Sequence, residues 1–196
     1  MPNWAFTTYK IVGDRDELVD LRDKMRYLES LEVSYHDNDF GKKWLGNIVV
    51  LLGGDILGEE MVHCRGEWDS YEYDEDNNIL MIDMMTAWCE QWEFRAFLEK
   101  CYPSFKVYYI VEEFNADLFL TNDVDRKYFK YRYILDDVEG SGTWEFETRD
   151  EARQFIEKLG SRHIEEDENL YDIIDEWNEQ IDDCDYSYHE CEIDVS

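Results

Sequence analysis

Proline is nearly missing from this chain: only Pro2 and Pro103 occur among 196 residues. There is no Gly/Ser/Pro-rich linker either, so any division into domains must come from pattern. Cations are equally scarce. Nineteen Lys and Arg stand against 49 Asp and Glu, giving a formal net charge of −30, where small domains carry a magnitude of about 2 to 8. Such a field repels phosphates and anionic headgroups, so neither nucleic acid nor an anionic membrane is expected as a direct ligand, and a basic protein surface is. No apolar run approaches the ~18 residues needed to span a bilayer. The opening MPNWAFTTYK lacks a basic segment followed by an apolar one, so no secretory signal is expected. The five cysteines (Cys64, Cys89, Cys101, Cys184, Cys191) are odd in number and without framework spacing, which points to reduced thiols in a cytoplasm.

What the chain does have is apolar surface. Hydrophobic residues make up 44% and aromatics 16%, too much for a disordered acidic polymer. Residues 4 to 12 alternate as a first strand, and Asp14 with Glu17 forms a D-x-x-E capping signal for a helix that buries Leu18, Leu21, Met25 and Leu28. A second helix is expected over 42–52, stopped by Gly53 and Gly54. Residues 61–73 and 79–88 read as a hairpin about the turn EDNN. Phe94, Phe97, Leu98 and Cys101 carry helical spacing up to Pro103, followed by a strand in FKVYYIVEEF and a short one in DLFLTND. This order suits an α+β fold with an antiparallel sheet covered by helices on one face. A second unit is expected over 126–196, after a first over 1–125. It reads as a strand KYFKYRYIL, a turn EGSG, a strand TWEFE, a T-x-x-E capped helix over 149–159, an acidic helix and a last strand YSYHECEI, a ββαα(β) extension.

The phrases MPNW, GKKWLGNIVVLLGGD, CRGEWD, TAW at 86–88, YPSFKVYYIVEE, TND at 121–123 and KYFKYRYILDD resemble the YubB-like family of uncharacterised proteins carried by plasmids, phages and integrated elements, in bacteria such as Bacteroidales. The resemblance spans roughly residues 1–137. It implies a ferredoxin-like α+β domain and a mobile-element setting, and it supplies no catalytic residues to carry over.

Site chemistry is sparse. Asp74, Asp76 and Asn78 have the first three spacings of an EF-hand loop, but Ile79 stands where the turn glycine belongs and Met85 where the bidentate glutamate belongs, so a solvated turn is expected. Cys184, His189 and Cys191 lack C-x₂-C or H-x₃-H spacing, and no metal or cofactor is expected. No nucleophile motif or phosphate-cradling glycine loop accompanies the four histidines. The basic cluster Arg126, Lys127, Lys130 and Arg132 is expected to form internal salt bridges with residues such as Asp136, Asp137 or Glu139.

The most informative stretch is 167–183, DENLYDIIDEWNEQIDD. Leu170, Ile173, Ile174, Trp177 and Ile181 fall on one helical stripe, and Glu168, Asp172, Asp175, Glu176, Glu179, Asp182 and Asp183 on the opposite face. Five of these climb the helix in steps of three and four, about one carboxylate per ~5 Å, against one phosphate per ~3.4 Å along a strand of B-DNA. A second acidic tract, Glu67, Asp69, Glu72, Asp74, Glu75 and Asp76, lies in a region without Lys or Arg. The expectation is a non-enzymatic binding protein whose acidic face imitates nucleic acid and occupies the basic groove of a host nucleic-acid-binding defence protein. The alternatives are an acidic interaction domain without mimicry, and an enzyme with a pocket near Trp68 and Trp88.

Overall fold

The computed structural model describes residues 3–113, 116–137, 142–180 and 185–195. It is a mixed α+β structure, and its contacts divide it into two compact units, 1–118 and 119–196.

In the first unit, β1 (Trp4–Val12) is followed by α1 (Arg15–Ser30), α2 (Leu45–Leu51), the hairpin β2 (Gly66–Asp74) and β3 (Ile79–Ala87), α3 (Trp92–Cys101) and β4 (Lys106–Glu113). The four strands lie in the order β2-β3-β1-β4, each pairing antiparallel. Alternation along β1 sends Ala5, Thr7, Tyr9 and Ile11 into the core, joined by Leu80, Ile82 and Met84 of β3 and by Val107, Tyr109 and Val111 of β4. On that face lie Leu18, Leu21, Met25 and Leu28 of α1, Leu45, Ile48 and Val49 of α2, and Phe94 and Leu98 of α3.

Local chemistry sets the boundaries. Gly53, at φ +82°, lets Gly54 N–H reach back to the Val49 carbonyl at 2.8 Å, so α2 closes on the glycine pair, and α3 stops just before Pro103. The expected D-x-x-E box does not form. Asp14 takes the N-cap position without a side-chain cap, and the reciprocal bond is replaced through Ser104, whose hydroxyl accepts from Asp14 N–H at 2.8 Å and donates to Glu17 at 2.5 Å.

The second unit holds β5 (Leu118–Thr121, which crosses the division), β6 (Tyr133–Asp137), β7 (Thr143–Phe146), α4 (Arg149–Gly160), α5 (Leu170–Gln180), β8 (Tyr186–Glu190) and β9 (Glu192–Ile193). Strands β7-β6-β8 form an antiparallel sheet, and β9 pairs parallel with β5 through Leu120–Glu192 and Thr121–Ile193. The YSYHECEI segment is therefore two strands, with Cys191 between them. Leu135, Ala152, Ile156, Ile164, Leu170, Ile173, Ile174, Trp177 and Tyr188 form the core. At the start of α4 the expected capping box is complete: Thr148 Oγ1 accepts from Glu151 N–H, and Glu151 accepts from Thr148 N–H. Replacing it by Thr148→Ala is expected to cost the second unit about 1 kcal/mol, read as a lower urea midpoint at unchanged slope.

The strand expected over 127–135 begins only at Tyr133. Upstream, the Asp123 carboxylate accepts from the backbone N–H groups of Lys127 (3.1 Å), Tyr128 (2.7 Å) and Phe129 (2.8 Å), which withdraws them from any ladder.

Candidate interaction surfaces

The acidic helix is folded and amphipathic, shorter than its sequence pattern. On α5, Leu170, Ile173, Ile174 and Trp177 are buried, whereas Asp172, Asp175, Glu176 and Glu179 are exposed. Of the other predicted face residues, Asp182 and Asp183 lie outside the described residues, as does Ile181. Glu168 precedes the helix and is half-buried. It binds Arg162 at 2.5 Å and accepts from Glu165 N–H at 2.7 Å, while Arg162 also reaches Glu176 at 3.3 Å. One arginine thus neutralises two members of the predicted row. Asp172, Asp175 and Glu179 form no ion pair among the described residues, and their three- and four-residue spacing places them over about 10 Å of one helix face.

The second acidic tract is shaped by a bulge. Strict alternation in GEWDSYEYD would put Trp68, Glu72 and Asp74 on one face. The register shift between Trp68 and Ser70 instead groups Trp68 with Tyr71 and Tyr73 beneath α1, and Glu67, Ser70, Glu72 and Asp74 on the other side. Glu29 of α1 anchors the inner set, accepting from Trp68 Nε1 at 3.0 Å and Tyr71 Oη at 3.1 Å. All six predicted acids, Glu67, Asp69, Glu72, Asp74, Glu75 and Asp76, are exposed. Glu75 meets Arg15 at 3.3 Å, and Asp74 caps the turn by accepting from Asp76 N–H and Asn77 N–H, both at 3.0 Å. The Asn77 side chain and these amides hold the Asp74 carboxyl below its ordinary pKa. This is turn chemistry. On the same open face Phe6 is 67% exposed, opposite Met85 of β3.

The two arginines of the basic cluster donate to backbone carbonyls. Arg132 is only 3% exposed, and its guanidinium donates to the backbone carbonyls of Asp123, Phe129 and Tyr131 rather than to Asp136 or Asp137. Arg126 donates to the Glu147 carbonyl at 2.7 Å. Glu139 lies outside the described residues.

Sequence reasoning missed the loop between β3 and α3. Trp88 sits at φ +66°, 57% exposed, with the Arg65 guanidinium 5.2 Å from its ring centre. Gln91 ties the loop, accepting from Arg65 N–H at 2.8 Å and donating to the Ala87 and Cys89 carbonyls. Next to it Glu90 is buried, accepting from Tyr9 Oη at 2.5 Å and Arg95 Nε at 3.0 Å. Burial, reinforced by Glu90, drives the Tyr9 hydroxyl well above its usual pKa. A signal was present in the TAWCEQW phrase, but nothing in it told that its one acid, Glu90, turns inward.

Trp68 has no exposed surface, so it shares no open cleft with Trp88. A cleft of about 600 Å³ is walled by Leu52, Gly53, Gly54, Phe97 and Cys101, with Asp55, Glu59, Glu60 and Lys100 as its charged groups. Asp55 is already committed to Leu57 N–H at 2.9 Å, and burial raises the Cys101 thiol pKa. No His lines this cleft to serve as base. Among the described residues no group of three or more His, Cys, Asp or Glu is placed to hold a metal ion, and Cys184 lies outside them. No described helix is long and apolar enough to cross a membrane.

Comparison with family models, with curated proteins and with solved structures returned no match.

Proposed function

We propose that this chain is a non-enzymatic binding protein whose carboxylate surface engages the cationic surface of a nucleic-acid-binding protein, occupying the groove that otherwise takes a polyphosphate backbone. The observation that carries the reading is the α5 ladder. Asp172, Asp175 and Glu179 stand exposed, with no ion pair among the described residues, on a helix fixed to its core by four buried side chains. Like charges at this spacing cost a helix a few tenths of a kcal/mol per pair, so folding stability does not favour the arrangement. A rigid row of anions loses little conformational freedom on docking and steers a basic partner from a distance. The exposed acids of the β2 hairpin give the first unit an anionic surface of its own. The first unit's strand order supports reading it as a ferredoxin-like βαββαβ domain, and the resemblance to YubB-like proteins supports a mobile-element setting, in which a defence protein is the natural target.

The test is capture of partners from nuclease-treated bacterial lysate on the immobilised chain at about 50 and about 500 mM salt, where each phosphate-like contact steepens the salt dependence. Nucleic-acid-binding proteins retained only at low salt, displaced by duplex DNA, and lost by the triple variant Asp172→Asn, Asp175→Asn, Glu179→Gln are the expected result. Relief of like-charge repulsion and loss of the favourable first-turn charge of Asp172 oppose each other, so the variant is expected to keep the wild-type far-UV circular dichroism and urea midpoint, which separates lost binding from unfolding. Equal retention by the triple variant, or no displacement by DNA, would sink the reading.

A further inference from the structure

Among the described residues Arg132 forms no ion pair, although the molecule is strongly acidic. Arg132 is 3% exposed, its two terminal nitrogens are spent on backbone carbonyls, and its Nε has no hydrogen-bond partner. The β6–β8 register pairs Tyr133 with Glu190, so the next opposed pair is Arg132 and Cys191, and Cys191 N–H donates to the Arg132 carbonyl at 2.8 Å. Side chains of directly opposed residues in an antiparallel pair leave the same face with Cβ atoms about 5 Å apart. The thiol therefore sits beside a buried, incompletely satisfied cation. Burial lowers the Arg132 pKa, which marks the guanidinium as a cation short of compensating charge.

We propose that Cys191 is a modification site: a nucleophilic thiol beside Arg132 that attacks hydroperoxides and soft electrophiles ahead of the other described thiols. Cys191 is partly exposed, which gives a small reagent access. Cys64, in contrast, is buried and its pKa is pushed up to about 12, and burial also raises Cys101. A thiolate in an electropositive, accessible setting is the reactive form of cysteine, and a buried neutral thiol is inert. The groups facing the sulfur are mixed. Arg132 stands opposite, His189 lies two residues back on the same face with its Nε2 on Ser187 Oγ at 2.7 Å, and Asp123 and Arg126 act on Arg132 with opposite signs. Glu190 and Glu192 flank the cysteine: the Glu190 carboxylate is held by Tyr188 Oη at 3.0 Å and Arg149 at 3.8 Å, and Cys191 Sγ donates to the Glu192 carbonyl at 3.6 Å, a contact that ionisation gives up. In the reaction with a hydroperoxide, sulfur attacks the terminal oxygen, the S–O bond forms as the O–O bond breaks, and the displaced alkoxide takes a proton from water. Sulfur is oxidised by two electrons to the sulfenic acid and the hydroperoxide is reduced to an alcohol.

The experiment is iodoacetamide alkylation of the folded full chain from about pH 5 to 10, each cysteine followed by peptide mass spectrometry, with the urea-unfolded chain as reference. Cys191 is expected to reach half its maximal rate at least about one pH unit below the ~8.5 of an unperturbed thiol, with Cys64 and Cys101 above it. A Cys191 midpoint equal to or above that of the unfolded chain overturns the proposal. Arg132→Lys is expected to keep the low midpoint and Arg132→Met to abolish it. If Arg132→Met does not fold, the wild-type comparison with the unfolded chain decides alone. Treatment with hydrogen peroxide and dimedone is expected to label Cys191 first, and preferential labelling of Cys89 or Cys101 would equally refute it.

Discussion

Between about pH 8 and about pH 11 the first unit is expected to lose several kcal/mol of stability, a loss that is a large part of the ~5–15 kcal/mol that holds a typical domain together. Three groups drive it. Burial raises the Cys64 thiol to about 12 and lifts the Tyr9 and Tyr102 hydroxyls well above 10, with Glu90 and Asp20 as their respective acceptors. For each, the folded pKa exceeds the unfolded one. The stabilisation is therefore fully present below the unfolded pKa and declines as pH rises from there toward the folded value. Above its unfolded pKa each group costs about 1.4 kcal/mol per pH unit, starting near ~8.5 for the thiol and near ~10 for the phenols. The acid limb has the opposite sign and a smaller size. Hydrogen bonds from His63 outweigh burial and lower the Glu93 pKa, and Lys24 and Tyr102 do the same for Asp20, so their contributions fade as pH falls through the carboxylate range. Both side chains are partly exposed, at 24% and 49%, which reduces those contributions. Acid also relieves the repulsion of a −30 chain. Urea titrations followed by tryptophan fluorescence at fixed pH test the asymmetry, and Cys64→Ala is expected to flatten the curve between about pH 8.5 and 10. Unchanged stability up to pH 11 would contradict the burial assigned to all three groups.

Periodicity carried most of the fold. β1 occupies the expected 4–12, the hairpin turns where the EDNN phrase stands, and α4 opens on its predicted capping box, because in each case the information is local: alternation, a turn residue, a side chain three positions from its amide. The failures have the opposite character. The reciprocal bond expected between Asp14 and Glu17 runs instead through Ser104, 87 residues from Glu17 in sequence. KYFKYRYIL has strand composition throughout, yet a single carboxylate, Asp123, captures three of its amides and the Arg132 guanidinium takes two of its carbonyls, leaving a strand only from Tyr133. Propensity describes a residue's average surroundings, and a competing side chain at short range overrides it.

The acidic surfaces were legible to a similar depth. The 3.6-residue period placed Asp172, Asp175, Glu176 and Glu179 outside and Leu170, Ile173, Ile174 and Trp177 inside, as the structure has them. It could not show that Arg162, distant along the row, folds back to neutralise Glu168 and Glu176 together, since a cation's reach depends on the loop that carries it. On β2 the loose alternation of GEWDSYEYD concealed a regular one, interrupted by a bulge that moves the tyrosines beneath α1 and the acids outward. Buried charge was the least legible feature. With 49 acids, composition gives no means of finding the one that turns inward on Tyr9 and Arg95.

That acid, Glu90, sets the second large effect: Glu90→Ala is expected to destabilise the first unit by about 3–5 kcal/mol, the usual cost of removing one partner of a buried ion pair. Its carboxylate is 4% exposed and the Arg95 side chain 16%. Without it, Tyr9 Oη keeps, among the described residues, the Gln91 carbonyl at 3.3 Å, and the guanidinium keeps the face of Tyr109, 5.3 Å from the ring centre. Most of the loss comes from the uncompensated cation, not from the missing attraction. The distinction predicts the double variant. Glu90→Leu with Arg95→Met removes both charges, keeps the volume near its original value, and leaves Tyr9 with Gln91, so much of the single-variant loss is expected to be recovered. A urea double-mutant cycle measures it, and the coupling between the two positions is expected to exceed about 1.5 kcal/mol. Additive losses would mean that Glu90 and Arg95 act independently, against the 3.0 Å contact between them. The same cycle separates the two kinds of acid in this protein. Glu90 is held for the fold, and its removal is expected to unfold the unit, whereas neutralising Asp172, Asp175 and Glu179 is expected to change only what the protein binds.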